Sequence, residues 1–424
     1  MQEGLETRLI IHKTLKELKV SNLGFDEVFE KEISITKFST RDKKFIYSVV
    51  LSAMRNYMNI DIIIKKFTKN VKKSKDTYFL LLSSITQLLV LNYKEFAVVN
   101  STVELAKNKK INANYKLINA VLRNIIRRNK KFDINKKEFS NLPSWFKNKV
   151  KWSNIVKNNF LDTINQEPDL HLVYKDKKNL NETNFDSIKT TEYSLVLKNK
   201  NLIKNIDGYA EGKWWVQNLS AMIPIYSLND LRGKKVLDLC AAPGGKSFQL
   251  ISKEAKVTAC EINKKRVDIM KSNLKRLNIN CDIINKDIFK IKFKEKFDFV
   301  FLDSPCSSIG TIRRHPEIFY RNSEPDFDKI INLQKKFLDF SKKLIKKNGY
   351  LIYMVCSFIE QEGKLMIDNF LKQNQNFNLE KFCFNKMKNI SDQIDKNYYY
   401  VVPKTIKNGV LVDGFFAAKI KKND

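Results

Sequence analysis

The chain has 424 residues, more than one hydrophobic core usually covers, so two or three domains are expected. Hydrophobic residues make up 43% and charged residues 29%, which excludes a disordered chain, and no run of about 18 apolar residues offers a membrane span. The formal charge of +32 points to a polyanionic partner, an inference tempered by the frequency of Lys, Asn and Ile throughout.

The first residues, Met-Gln-Glu-Gly-Leu-Glu, lack the basic start and apolar core of a signal peptide, so a cytoplasmic protein without membrane attachment is expected. Six cysteines stand at 240, 260, 281, 306, 356 and 383, with no C-x-x-C pair and only three His. No metal site and no disulfide framework are expected from that pattern.

Residues 1–135 read as helix throughout. Leu5, Leu9, Ile10, Leu15 and Leu18 have helical spacing. Ser39-Thr-Arg-Asp42 offers an N-cap ahead of Phe45–Met54. Further helices are predicted over 61–67, 78–91, 97–107 and 117–128. No glycine falls between Phe25 and Gly208, which suits helices joined by short turns. A bundle with one basic end follows.

The runs Arg41-Asp42-Lys-Lys-Phe-Ile-Tyr-Ser-Val-Val, Gln87-Leu-Leu, Ala97-Val-Val-Asn100, Val103-Glu-Leu-Ala-Lys107 and Ile118-Asn-Ala-Val-Leu-Arg123 resemble a NusB-type RNA-binding domain over about residues 5–130. The resemblance implies a helical bundle that docks on RNA. It would put Arg123, Arg127, Arg128, Lys130 and Lys131 near phosphates; otherwise they form a solvated basic helix end.

Residues 136–206 read as a small α/β subdomain. Leu142-Pro-Ser-Trp145 opens it, Phe146–Phe160 suits an amphipathic helix, and 169–200 alternates like strands through Leu170, Leu172, Tyr174, Tyr193, Leu195 and Leu197. The segment carries no chemistry of its own; position and charge suggest a role in holding RNA.

Residues 207–424 alternate β and α. Val236–Leu239 is a short strand, Pro243, Gly244 and Gly245 make a turn, and Lys246 opens a helix. Such a turn lets a nucleotide-like ligand approach the backbone closely, although a plain βα turn has the same pattern. Lys256–Cys260 is a second strand ending at Glu261, an acid suited to ribose hydroxyls. A helix over 264–277 and a strand from Cys281 lead to Asp287, which could accept from an exocyclic amine. Phe297–Asp303 is the fourth strand, a long helix spans 327–345, and Gly349–Cys356 is the fifth, before a helix over 360–371. The fold class is therefore α/β, a doubly wound, Rossmann-like, mostly parallel sheet preceded by the helical bundle and the small subdomain.

Glu261, Asp287, Asp303, Cys306 and Cys356 all fall at or past the carboxyl ends of strands, where such sheets bind ligands. With strand order 3-2-1-4-5, strands four and five are neighbours about 4.8 Å apart, bringing Cys306 and Cys356 into one cleft. Cys306 sits in Asp303-Ser-Pro-Cys-Ser-Ser-Ile-Gly-Thr-Ile-Arg-Arg-His-Pro-Glu317 and Cys356 in Val355-Cys-Ser357.

These motifs are similar to the RNA cytosine-5 methyltransferases that use S-adenosylmethionine, over nearly the whole chain. With the helical domain in front, the likeness is to the bacterial members acting on 16S rRNA. The resemblance implies that S-adenosylmethionine lies against Cys240, Ala241, Ala242, Pro243, Gly244, Gly245, Lys246, Glu261, Asp287 and Asp303. It implies Cys356 as nucleophile and Cys306 as the residue that helps release product. Asp413-Gly-Phe-Phe-Ala-Ala-Lys419 resembles the family's last strand. The partner is expected to be 16S rRNA or a small-subunit assembly intermediate, and the protein a monomer.

The chemistry accounts for the residues. Carbon 5 of cytosine is a poor nucleophile until a thiolate adds at C6. A free thiol is only a few per cent thiolate at neutral pH, so a positive surrounding helps; Lys246, Arg313 and Arg314 are the candidates, the last two also for RNA contact. Asp303 could hydrogen-bond the cytosine N3 edge, a base must remove the C5 proton, and the target must be unstacked. Val355, Ser304 and Gly363 stand where the family usually has Thr, Ala and Asn. Cys240, Cys260, Cys281 and Cys383 are expected to be structural, and His315 to order its loop. A DNA-type enzyme would need Cys306 alone; an amino-group methyltransferase would carry an aromatic there; a non-catalytic RNA-binding factor would need only the helical domain.

Overall fold

The computed structural model describes residues 3–34, 37–68, 71–72, 75–128, 132–134, 137–198, 202–228, 230–383 and 397–424. The chain divides into two units: 1–166 with 312–325, and 167–311 with 326–424.

Unit 1 is helical. Its elements are α1 (Glu3–Val20), α2 (Phe25–Ile33), α3 (Thr40–Arg55), α4 (Tyr57–Phe67), α5 (Asp76–Ile85, continued by a π-helical turn Thr86–Val90), α6 (Glu95–Ala106) and α7 (Tyr115–Arg127). Ser39 caps α3, its side chain accepting from the Asp42 N–H. On α7, Ile118, Val121, Leu122 and Ile125 are buried at helical spacing, while Arg123, Arg127 and Arg128 are exposed. The buried face meets Ile11, Leu15, Val49 and Leu81 in one core. Where an amphipathic helix over Phe146–Phe160 was expected, two short helices form, α8 (Ser144–Lys149) and α9 (Asn154–Thr163). Val150 is extended, and Ser153 starts the second helix by accepting from the Val156 N–H. Phe146, Trp152 and Phe160 still pack together, ring centroids 5.1–5.7 Å apart.

Unit 2 begins with a four-stranded antiparallel sheet. It is built from β1 (Leu170–Tyr174), the short α10 (Lys177–Asn181), β2 (Ser187–Thr191), β3 (Ser194–Leu197) and β4 (Trp214–Val216), in order β2-β3-β1-β4. The chain then runs α11 (Leu219–Tyr226), β5 (Lys235–Leu239), α12 (Gly245–Ser252), β6 (Lys256–Cys260), α13 (Lys264–Leu277), β7 (Asp282–Ile284) and β8 (Phe297–Asp303). It enters unit 1 over 312–325, forming α14 (Glu317–Tyr320), and returns as α15 (Phe327–Ser341), β9 (Ile345–Val355), α16 (Lys364–Gln373), β10 (Phe377–Glu380), β11 (Tyr399–Val401), β12 (Lys404–Thr405), β13 (Leu411–Val412) and β14 (Phe415–Lys422).

The large sheet has the order β10-β14-β9-β8-β5-β6-β7, with β11 also on β14. β7, β6, β5, β8 and β9 are parallel, and β14 is antiparallel to β9. Alternate residues feed opposite faces. Val236, Phe301 and Ile352 join Phe248 and Met270 in one core; Leu237, Val300 and Leu351 join Phe337 and Met366 in the other. With both faces covered, the carboxyl ends of β5, β6, β8 and β9 are left to carry polar groups. Among the described residues no helix is long and apolar enough to cross a membrane.

Candidate active site

The turn after β5 is built for close approach. Cys240 and Gly244 adopt positive φ, 61° and 109°. A Cβ on Gly244 would lie 2.4 Å from Phe248 Cζ, so only glycine fits. The Ala242–Pro243 peptide is cis. Arg266, from α13, donates to the Ala242 carbonyl. Behind the turn, the Gln217 amide donates to Gln249 Oε1 at 3.0 Å and accepts from the Trp215 indole at 2.8 Å, which fixes the start of α12.

Three acids follow strand ends. Glu261 is buried after β6; its Oε1 accepts from the Asn263 N–H at 2.9 Å, and Oε2 has no hydrogen-bond donor, with Arg266 Nη1 3.5 Å away. Asp287, beyond β7, accepts from the Phe289 N–H at 3.1 Å. Asp303, the last residue of β8, accepts from Lys246 Nζ at 2.7 Å. Burial opposes the charge of Lys246, but Asp303 outweighs it and raises the ammonium pKa above the usual lysine value.

Cys306 and Cys356 meet beyond β8 and β9, their Sγ atoms 3.2 Å apart. Ser308 Oγ lies 3.6 Å from Cys356 Sγ. The two thiols differ. The hydrogen bond with Cys306 holds the Cys356 pKa below the ordinary thiol value; burial and Asp303 work against this, and Ser308 and Lys246 add to it. Cys306 is pushed well above that value by the same hydrogen bond, by burial and by the charges of Cys356 and Glu362. Of the two thiols, Cys356 is therefore the one that gives up its proton more readily. Gly310 ties the two loops together, its N–H donating to the Cys356 carbonyl at 3.0 Å and its carbonyl accepting from the Gly414 N–H at 2.8 Å.

The remaining cysteines differ from this pair. Burial raises the thiol pKa of Cys240, and pushes Cys260 and Cys281 up to about 12. Cys383 is exposed. Among the described residues no group of three or more His, Cys, Asp or Glu could hold a metal ion.

The arginines separate too. Arg123, Arg127 and Arg128 share the exposed end of α7. Lys130 and Lys131 lie outside the described residues. Arg313 departs from the expectation of RNA contact: its side chain is 0% exposed, and its carbonyl accepts from Arg55 at 3.2 and 3.3 Å. The physical reason is that 312–325 folds into unit 1 instead of remaining a solvated loop. Arg314 is half-buried. In the same segment His315 Nδ1 is 3.3 Å from the buried Glu317, which also accepts from the Phe25 N–H.

Sequence reasoning missed two buried acids. Asp238, inside β5, accepts from Ser247 Oγ, and burial pushes its pKa up to about 7. Glu362 lies in the turn before α16, which starts four residues later than expected, at Lys364. In the expected helix Glu362 would have been an ordinary first-turn acid, so nothing distinguished it. The family's Asn is not accommodated at Gly363 as the site stands, since a Cβ there would lie 2.9 Å from the Phe416 ring.

The part of the chain that carries these two sulfurs, the glycine turn and the buried acid matches known methyltransferases. Residues 225–421 match the family described as 16S rRNA methyltransferase RsmB/F, and residues 5–127 match the NusB family. The chain is similar to the RsmB/F methyltransferases in its C-terminal part and to NusB in its N-terminal part. Ribosomal RNA small subunit methyltransferase B of Pasteurella multocida (strain Pm70) is 28% identical, covering 90% of this chain and 89% of its own. The protein of that name from Escherichia coli O127:H6 is 29% identical over 80% and 83%. Among solved structures, PH0851 superposes with TM-score 0.72 at 19% identity, covering 99% of this chain and 98% of that one. NSun6 from Pyrococcus horikoshii gives 0.52 at 15% identity, over 64% and 97%. The structural likenesses concern the fold. These matches make the protein an S-adenosylmethionine-dependent rRNA methyltransferase, and cytosine-C5 specificity fits the RsmB/F family.

Proposed function

We propose that this enzyme methylates C5 of one cytosine in 16S rRNA, naked or in a small-subunit assembly intermediate, through a covalent bond between Cys356 and cytosine C6. The observation that carries the reading is the 3.2 Å sulfur pair, with the Cys356 thiol pulled below its ordinary pKa and the Cys306 thiol pushed above it.

The Cys356 thiolate adds to C6, pushing electron density through the ring toward C5 and N3; N3 takes up a proton from solvent and donates it in a hydrogen bond to Asp303. S-adenosylmethionine, when bound, supplies an electrophilic methyl that C5 takes. A base removes the C5 proton, the C5=C6 bond re-forms, Cys356 departs as thiolate stabilised by the Cys306 thiol, and N3 returns its proton to solvent. Cofactor-holding groups in this reading are Cys240–Lys246, Glu261, Asp287 and Asp303. Glu261 fits the role because its buried Oε2 has no hydrogen-bond donor and suits a ribose hydroxyl. The ion pair with Lys246 holds Asp303 at the cleft.

Residues 1–135 serve as the RNA-docking domain, with Arg123, Arg127 and Arg128 on phosphates; 136–206 links it to the methyltransferase part, 207–424. The enzyme acts as a monomer in the cytoplasm, where ribosomal subunits are assembled.

Incubation with unmodified 16S rRNA and S-adenosylmethionine, followed by bisulfite mapping, tests the reaction. One protected cytosine, absent with Cys356→Ala, is the expected result. Protection that survives Cys356→Ala but not Cys306→Ala would favour a DNA-type mechanism. Cofactor binding without any protected cytosine would move the search to tRNA or another RNA, and failure to bind the cofactor would revive a non-catalytic role.

A further inference from the structure

Glu362 is 0% exposed, yet it stands in the turn between β9 and α16. Its carboxylate has four acceptor directions, and four donors fill them. Oε1 accepts from the Ser307 N–H at 2.7 Å and from the Gln334 amide at 3.3 Å. Oε2 accepts from Ser307 Oγ and Ser357 Oγ, both at 2.6 Å. No Lys or Arg is paired with it among the described residues. The residue's own carbonyl accepts from the buried Tyr353 hydroxyl at 2.7 Å, which anchors the turn to β9. Gln334 also donates to the Pro305 carbonyl at 3.0 Å.

The identity of the donors matters more than their number. Ser307 follows Cys306, and Ser357 follows Cys356. A single carboxylate therefore grips the residue after each cysteine, and through Gln334 the residue before Cys306. A buried carboxylate held only by neutral donors is a costly way to fix two loops if stability is the sole return. Apolar packing would do that at lower cost.

We propose that Glu362 is the positioning residue of the two-cysteine site, setting the distance between Cys306 and Cys356 without touching substrate. The proposal rests on the reading of Cys356 as nucleophile. Its charge also bears on the pair: after the hydrogen bond with Cys356, burial and the Cys356 charge, Glu362 adds to pushing up the Cys306 thiol. The other groups acting on the pair are Asp303, Lys246 and Ser308.

The test is Glu362→Gln, nearly isosteric but neutral, with an amide N–H₂ turned toward donors. Three readouts are taken: S-adenosylmethionine binding by calorimetry, steady-state methylation of rRNA, and the relative rate at which iodoacetamide alkylates Cys356 and Cys306 at neutral pH, mapped by mass spectrometry. Cofactor affinity and KM for RNA should hold, while kcat falls about 10- to 100-fold, the scale expected for a small misplacement of reacting groups. Alkylation, which should favour Cys356 in the wild type, should move toward parity. A variant that melts earlier but keeps kcat and the alkylation preference would reduce Glu362 to a structural role and overturn the proposal. If Glu362→Gln does not fold, Ser307→Ala and Ser357→Ala decide: each should lower kcat and narrow the preference, and unchanged preference in both would overturn it. Failure of the underlying reading shows separately, in the absence of any Glu362 change. Methylation by Cys356→Ala, or faster alkylation of Cys306 in the wild type, would remove the nucleophile and this proposal with it.

Discussion

Two thiols 3.2 Å apart share one proton more readily than they hold two separate anions. The hydrogen bond between them pushes the Cys306 thiol up and the Cys356 thiol down; burial and Glu362 add to the first shift, Ser308 and Lys246 to the second. Cys306→Ala removes the main influence holding the Cys356 pKa down, so the pH profile of Cys356 alkylation should move to higher pH. Cys306→Ser retains an O–H donor and should restore part of the shift. An unchanged profile in Cys306→Ala would mean that the contact does not tune the nucleophile. Asp238 gives a pH prediction of its own. In the folded chain burial raises its carboxyl to about 7, against about 4 unfolded. Between those values the folded state holds the proton and the unfolded state does not, so stability falls as pH rises from about 4 to about 7. Asp238→Asn should flatten that part of a plot of thermal midpoint against pH; an equally steep slope would reject the assignment. Cys306 and Cys356 were legible in the sequence because each breaks a strand pattern at a polar tip. Asp238 and Glu362 were not, because burial of an acid depends on donors such as Ser247, Ser307 and Ser357 that only the fold brings near.

At the scale of elements, the site is held by backbone in close contact. A Cβ on Gly310 would lie 2.1 Å from the Gly414 carbonyl oxygen and 2.9 Å from that of Cys356. Neither neighbour is a flexible side-chain tip, so the loops must separate to admit a methyl group. Gly310→Ala should cost at least about 1–3 kcal/mol in denaturant unfolding, the range for overpacking, and lower methylation further than the stability loss alone explains. Full activity in this variant would show that the loops can spread without harm. The parallel strands were readable from their apolar runs, and α13 from its spacing and caps. Other elements were not. The nine residues of α2 are too few for periodicity to declare a helix. The gap between α8 and α9 depends on Ser153 acting as a cap, which competes with continuing one helix through Trp152. β4 is three residues long and takes its place by pairing with β1. Each missed element is short and is defined by a tertiary partner.

For the molecule as a whole, the excess of 32 positive charges bears on binding more than on folding. Charge attracts RNA wherever it lies, but only cations that neutralise phosphates release counterions on binding. Arg123, Arg127 and Arg128 are exposed at one helix end, whereas Arg313, close to Cys306 in sequence, is enclosed within unit 1. Replacing the three exposed arginines by Gln removes three charges and none of the buried core of α7. RNA affinity measured over a salt series should weaken most at low salt. The log–log slope should become shallower by about 2 to 3, at about 0.7 to 0.9 for each phosphate left without its arginine. S-adenosylmethionine binding should be unchanged, since unit 2 carries the groups proposed to hold it. An unaltered slope would assign the basic end of α7 to solvent and leave RNA docking to other lysines of this cationic chain.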